Sequence, residues 1–152
     1  MFHMSEVAKD AVALQRLVCE LDAFQQALYP EESNHCVNLA AISDEKIRCL
    51  LVCDDDGNGI GCGTILLQPG HKAEIKRLYI DPAYRGKHLG EQIIAQLEKI
   101  AREAGCFLLQ LETGIHQQPA IRLYQKCGYA FCDPFPPYTK DPLSVFMCKP
   151  LP

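Results

Sequence analysis

The sequence predicts an α/β (α+β) fold, a mixed central sheet of about six to seven strands flanked by helices. Three features lead there. Two apolar runs, Ile47–Cys53 and 60–68, are joined by Asp54-Asp55-Asp56-Gly57-Asn58-Gly59, whose Gly and Asn accept the positive φ of a hairpin turn. A third run, Lys72–Ile80, is entered through Pro69-Gly70 and ended by Asp81-Pro82. Over 89–104, Ile93, Ile94, Leu97, Ile100 and Ala101 form one stripe of an amphipathic helix that Gly105 caps.

Ahead of the strands, apolar residues at Val7, Ala11, Leu14, Leu17, Val18, Leu21, Phe24 and Leu28 recur in steps of three and four. That spacing predicts a helix over 6–29, closed by Pro30. Glu31-Glu32-Ser33-Asn34-His35 is a polar connector, and 36–42 a short second helix. Later, 107–111 is a continuous apolar strand of the kind covered on both faces. Residues 120–127 form a short helix ended by Gly128, and 129–132 and 144–148 are terminal strands around Pro134-Phe135-Pro136-Pro137. No linker or repeat divides the chain, and 152 residues match about one domain, so 1–152 reads as a single domain.

With 48% apolar residues the chain supplies a core without metal or disulfide staples. The balance of 15 basic against 19 acidic side chains, with a pI near 5.7, lacks the basic stripe of a nucleic-acid binder. The nine cysteines are odd in number, form no CxxC pair and lack zinc-site spacing, so no metal is expected. They read as small apolar core thiols in a reducing compartment. Met1-Phe2-His3-Met4 carries no basic patch of a signal peptide. No apolar run approaches the roughly 20 residues of a membrane span. A soluble, cytoplasmic protein without nucleic-acid or membrane partners is the expectation.

The chemistry concentrates in Asp81-Pro82-Ala83-Tyr84-Arg85-Gly86-Lys87-His88-Leu89-Gly90, a basic, Gly-containing turn from strand to helix. A helix N-terminus offers backbone N–H groups and partial positive charge, and a diphosphate suits it. The spacing is neither GxxxxGK[ST] nor GxGxxG. Four pieces in order then complete a resemblance. They are the strand Ala73-Glu74-Ile75-Lys76-Arg77-Leu78-Tyr79-Ile80, the loop RGKHLG, the strand Leu109-Gln110-Leu111-Glu112-Thr113, and Ala120-Ile121-Arg122-Leu123-Tyr124-Gln125-Lys126-Cys127-Gly128-Tyr129.

This ordered set resembles the GNAT acetyltransferase superfamily. The resemblance implies acetyl-CoA as co-substrate, held by Leu78, Tyr79, Ile80, Arg85, Gly86, Lys87, His88, Leu89, Gly90 and Gln117. The family loop reads [Q/R]-x-x-G-x-[G/A], and His88 stands where its first Gly usually does; helical φ at His88 would keep the amides aimed at phosphate. Gln117 stands where the family often has Asn.

It further implies direct acetyl transfer to an amine. A free alkylamine has a pKa near 10.4, so a base or proton-draining water is needed. Glu74 matches the family's glutamate base; its strand parity with Leu78 and Ile80 would set it beside apolar surface and raise its pKa. Glu112 is the competing base. Tyr124 matches the tyrosine that protonates the departing thiolate, and backbone N–H groups at 78–80 would polarise the carbonyl. Cys106 and Cys127 read as packing.

For the acceptor, Tyr29, Glu31, Glu32, Glu112 and Tyr138 are candidate contacts, with His35 and His116 read as loop histidines. The expected function is N-acetylation of a primary amine on a small molecule. A protein lysine or N-terminal acetyltransferase, or a non-catalytic acyl-CoA-binding module, are the alternatives. The family is often dimeric, so a homodimer is among the implied assemblies.

Overall fold

A computed structural model describes residues 1–30 and 38–152. Seven strands form one sheet: β1 (His3–Val7), β2 (Ile47–Cys53), β3 (Gly59–Gln68), β4 (Lys72–Ile80), β5 (Leu108–Gly114), β6 (Ala130–Phe131) and β7 (Ser144–Pro150). Their order is β1-β2-β3-β4-β5-β7-β6. Every neighbour pair is antiparallel except β4 and β5, which are parallel. The crossover between those two is α2 (Leu89–Glu103). Among the described residues, the other α-helices are α1 (Val12–Leu28) and α3 (Gln118–Lys126).

The hairpin and the central strands lie where the sequence puts them. Asp54 organises the β2–β3 turn by accepting from the N–H groups of Asp56 and Asn58, and Gly57 alone takes positive φ there. Gly105 and Gly128 end α2 and α3 at positive φ, as expected.

The N-terminal segment differs. The periodic stretch assigned to one helix is split: 3–7 form an edge strand paired with β2, and the helix begins only at Val12. Phe2 and Met4 alternate with His3 and Ser5 and turn toward the core, a period of two that outweighs the helical spacing of Val7 and Ala11. A 3-10 turn at Leu39–Ala41, with extended Asn38 and Ile42 on either side, takes the place of most of the expected second helix, and 36–37 lie outside the described residues.

The two faces of the sheet carry separate cores. Ile93, Ile94, Leu97 and Ile100 of α2 pack with Tyr124 of α3 on Leu50, Ile65, Ile75, Leu109, Leu111 and Met147. On the opposite face Leu14 and Leu17 of α1 pack on Cys49, Leu51, Cys62 and Leu66. The end of α1 is pinned to the end of β5. The Tyr29 ring stacks on His116 at 5.6 Å, and its hydroxyl accepts from the His116 N–H at 3.1 Å. A Cβ on Gly114 would lie 1.7 Å from that hydroxyl, so only glycine permits this contact.

Gly114→Ala should therefore displace Tyr29 and lower stability by about 1–3 kcal/mol. Tyr29→Phe, which loses one hydrogen bond, should cost about 1 kcal/mol. Urea unfolding midpoints check the order; a Gly114→Ala protein as stable as wild type would show that the contact is dispensable.

Candidate active site

A bulge in β4 makes the site. Lys76 pairs with Thr64 and Tyr79 with Cys62, so Arg77 and Leu78 together oppose Gly63. Arg77 takes the left-handed region at φ 55, which costs a non-glycine residue about 1 kcal/mol or more. Two contacts offset that strain: the Cys62 thiol donates to the Arg77 carbonyl at 3.4 Å, and Arg77 Nε lies 2.9 Å from Asp22 Oδ1 of α1. Beyond the bulge β4 leaves β5. Their parallel register covers only Lys72↔Leu108 to Ile75↔Leu111, although β4 runs on to Ile80 and β5 to Gly114. A fork opens between them.

The bulge also reverses the strand's parity, which corrects the expectation for Glu74. Leu78 and Ile80 pack on the α2 face, whereas Glu74 alternates with Ala73 and Ile75 of that face and points to the α1 side. There Glu74 is only 2% exposed. It accepts from the Tyr138 hydroxyl at 2.5 Å and lies 3.3 Å from the Lys76 ammonium, which itself donates to Tyr138. Burial, and then the charge of Glu74, push the Tyr138 phenol well above its usual range.

Two cavities meet at the fork. One, of about 440 Å³, runs along Leu78, Tyr79 and Ile80, under Arg85, Gly86, His88, Leu89 and Gly90, and past Gln117, Ala120 and Leu123 to Tyr124. The other, of about 70 Å³, lies between the strands and is lined by Lys76, Arg77, Glu112, Thr113, Gln117 and Tyr124. Tyr124 and Gln117 line both. Tyr124 is buried, and that burial, with Glu112 nearby, holds its proton far above the ordinary phenol range. Gln117 is fixed by its Oε1, which accepts from the Thr113 hydroxyl and the Gly114 N–H, each at 3.0 Å. Glu112 accepts from the Ser144 hydroxyl at 2.7 Å.

The loop before α2 gathers backbone N–H groups. Gly86 has φ 80 and His88 φ 62, so His88 is left-handed rather than helical as expected. The turn from strand to helix needs positive φ at this point, where the family pattern usually has glycine; His88 meets it with its ring 3.2 Å from Glu91. The amides of Gly86, Lys87, His88, Leu89 and Gly90 donate to no described group. Five such amides beside a helix N-terminus match the oxygens of a diphosphate. Nothing lies within 4 Å of a Cβ placed on Gly86. Arg85 is held at this mouth by its Nε, 3.0 Å from the Ile80 carbonyl. The Lys87 ammonium instead lies over the Tyr84 ring at 5.7 Å and only its backbone joins the cradle.

Of the expected acceptor contacts, Glu112 borders the fork. Tyr29 is committed to His116, and Tyr138 to Glu74 and Lys76. Glu31, Glu32 and His35 lie outside the described residues. Sequence reasoning did not single out Lys76, Arg77, Asp22 or Cys62, because their roles follow from a bulge that no local spacing marks.

A family model described as "Acetyltransferase (GNAT) family" matches residues 14–129. The chain belongs to the GNAT acetyltransferase family. It is 43% identical to an IAA acetyltransferase of Azospirillum brasilense over 91% of each chain. A Klebsiella pneumoniae structure described as an acyl-CoA N-acyltransferase is 40% identical, with a TM-score of 0.90 over 99% of this chain and 98% of that one. The GNAT fold is shared with the PaiA N-acetyltransferase of Thermoplasma acidophilum, solved with coenzyme A, at 22% identity and a TM-score of 0.75 over 99% of each chain. The protein is thus an acyltransferase of GNAT type.

Burial pushes the Cys62 thiol behind the bulge up to about 12, against 9.0 in an open chain. The unfolded chain releases this proton first, so stability should fall as pH rises past about 9, toward 12. Urea midpoints at pH 8, 9.5 and 10.5 should decline more steeply in wild type than in Cys62→Ala. Parallel declines would remove Cys62 as the cause.

Proposed function

We propose that the protein transfers an acetyl group from acetyl-CoA directly to the primary amine of a small molecule. The observation that carries this reading is Tyr124, a buried phenol lining both the long cleft and the polar fork. The five amides at 86–90, with Arg85, suit the cofactor's diphosphate. The edge of β4 over 76–80, left without β5, suits the rest of an extended chain and supplies N–H groups for the thioester carbonyl.

When bound, acetyl-CoA supplies an activated acyl carbon on a thiolate leaving group. The residues around it then divide the protons. The new C–N bond forms as the C–S bond breaks; the amine gives up one proton and the departing sulfur takes one. Glu112, inside the fork, is the group placed to receive the amine's proton, directly or through water. Glu74 is turned from the long cleft and held by Tyr138 and Lys76, so we assign it to positioning rather than to proton abstraction. Tyr124 keeps its proton at neutral pH and donates to the leaving sulfur. Direct transfer needs no nucleophilic side chain, so the buried Cys106 and the half-buried Cys127, both with raised pKa, stay packing groups.

Free-thiol release from acetyl-CoA across amines, amino acids, polyamines and lysine peptides tests the reading. Tyr124→Phe should lower kcat by about 100-fold or more while KM for acetyl-CoA moves little. An unchanged kcat would remove Tyr124 as the acid. Glu112→Gln should lower kcat/KM at neutral pH and weaken its rise with pH; a wild-type profile would return the proton to water or to Glu74.

A further inference from the structure

Helix α2 buries a single charged side chain. Glu98 is 6% exposed and shares the inner face of the helix with Ile94, Leu97 and Ala101. Both its oxygens accept from the Lys149 ammonium of β7 at 3.1 Å, and one also accepts from the Tyr129 hydroxyl at 2.9 Å. Lys149 donates in addition to the Cys127 carbonyl at 2.9 Å. Cys127 caps α3, where a helix leaves its last carbonyls without donors of its own. Two opposite charges and one phenol thus tie α2, β7 and the end of α3 together.

A buried ion pair adds little net stability over apolar side chains of the same volume, whereas its bonds hold one arrangement of the elements that carry it. The residue held here is Tyr124. Its carbonyl accepts from the N–H groups of Cys127 at 3.1 Å and Tyr129 at 3.0 Å, so the chain turns back on it. Its ring meets the Tyr129 ring edge-on at 5.9 Å. Its hydroxyl, by contrast, bonds to no described residue. The direction of the phenol therefore comes from the backbone and the ring behind it. Glu98, Lys149 and Tyr129 line neither of the two cavities.

Resting on the acetyl-transfer reading above, we infer that Glu98, Lys149 and Tyr129 are positioning residues that aim the Tyr124 hydroxyl from outside the cleft. They touch neither cofactor nor acceptor and act only through Tyr124. A misplacement of about 1 Å at a reacting group lowers rate by up to about 100-fold, so a small rotation of the phenol is enough to register.

The test is a double-mutant cycle. Tyr129→Phe keeps the ring and removes its bond to Glu98. It should lower kcat by about tenfold or more while KM for acetyl-CoA moves less than about twofold. In the Tyr124→Phe protein the same change should move kcat by less than about twofold, because the group it aims is gone. Glu98→Gln, made from the α2 side of the network, should repeat both results. Where Tyr124→Phe itself lowers kcat, an equal loss in the two backgrounds, or no loss from either variant, overturns the inference. A 3-fluorotyrosine at 124 reads placement without turnover. Its fluorine resonance, a single line in wild type, should broaden or split in Tyr129→Phe and in Glu98→Gln. A single sharp line in both overturns the inference whatever the kinetics. If Tyr124→Phe alone leaves kcat at the wild-type level, the acid reading fails, while a broadened line still supports placement of Tyr124 by the network.

Discussion

The bulge at Arg77 is the constraint from which the rest of the site follows. An undistorted β4 would keep its parallel ladder with β5 past Ile75 and close the fork. With two residues opposing Gly63, the strand bends and its outer edge runs on to Ile80 without β5 as a neighbour. The bend is held from both sides of β4. Cys62 on β3 grips the Arg77 carbonyl and Asp22 on α1 lies against its guanidinium, so strain in one residue is spread over three elements. Gly63 completes the arrangement. A Cβ there would lie 2.9 Å from both Ile93 and Leu97, so the small residue lets α2 press on the sheet where the strand bends.

The elements whose signals are local were legible in the sequence. The β2–β3 hairpin, β4 and α2 lie within a residue of their expected bounds, since turn residues and apolar period agree there. The edge strand β1 was not. Its five residues pair on one side only and are mostly exposed, so their alternation is weak beside the helical spacing that follows. The site divides the same way. The loop at 85–90, Gln117 and Tyr124 come from contiguous motifs and line one cleft. Glu74 was misplaced because parity counted along a strand holds only until a bulge adds a residue. Likewise His88 takes positive φ because the turn demands it, a demand a histidine in the sequence does not advertise.

The carboxylates Glu74 and Glu112 look alike in the sequence, each near the fork on neighbouring strands. Their surroundings separate them. Glu74 lies before the bulge, where β4 and β5 are still paired, and its oxygens face Tyr138 and the Lys76 ammonium. A base so engaged would have to break those contacts before taking a proton. Glu112 lies one residue past the last β4–β5 pair, where the strands have parted, on the lining that Tyr124 shares. Under the proposed direct transfer, an acid and a base at one fork would have their environments set by where the two strands separate.

The loop that carries Tyr138 is packed against the sheet by an aromatic cluster. Phe135, Tyr138 and Phe146 pack edge to face within 5.2–5.8 Å, and Phe146 pairs with Glu112 across β5 and β7. The aromatic cluster thus fixes Tyr138 over Glu74 and Lys76, and through the β7 register it fixes the strand on which Glu112 is carried. Loosening the cluster would act on both carboxylates together, through position rather than through charge.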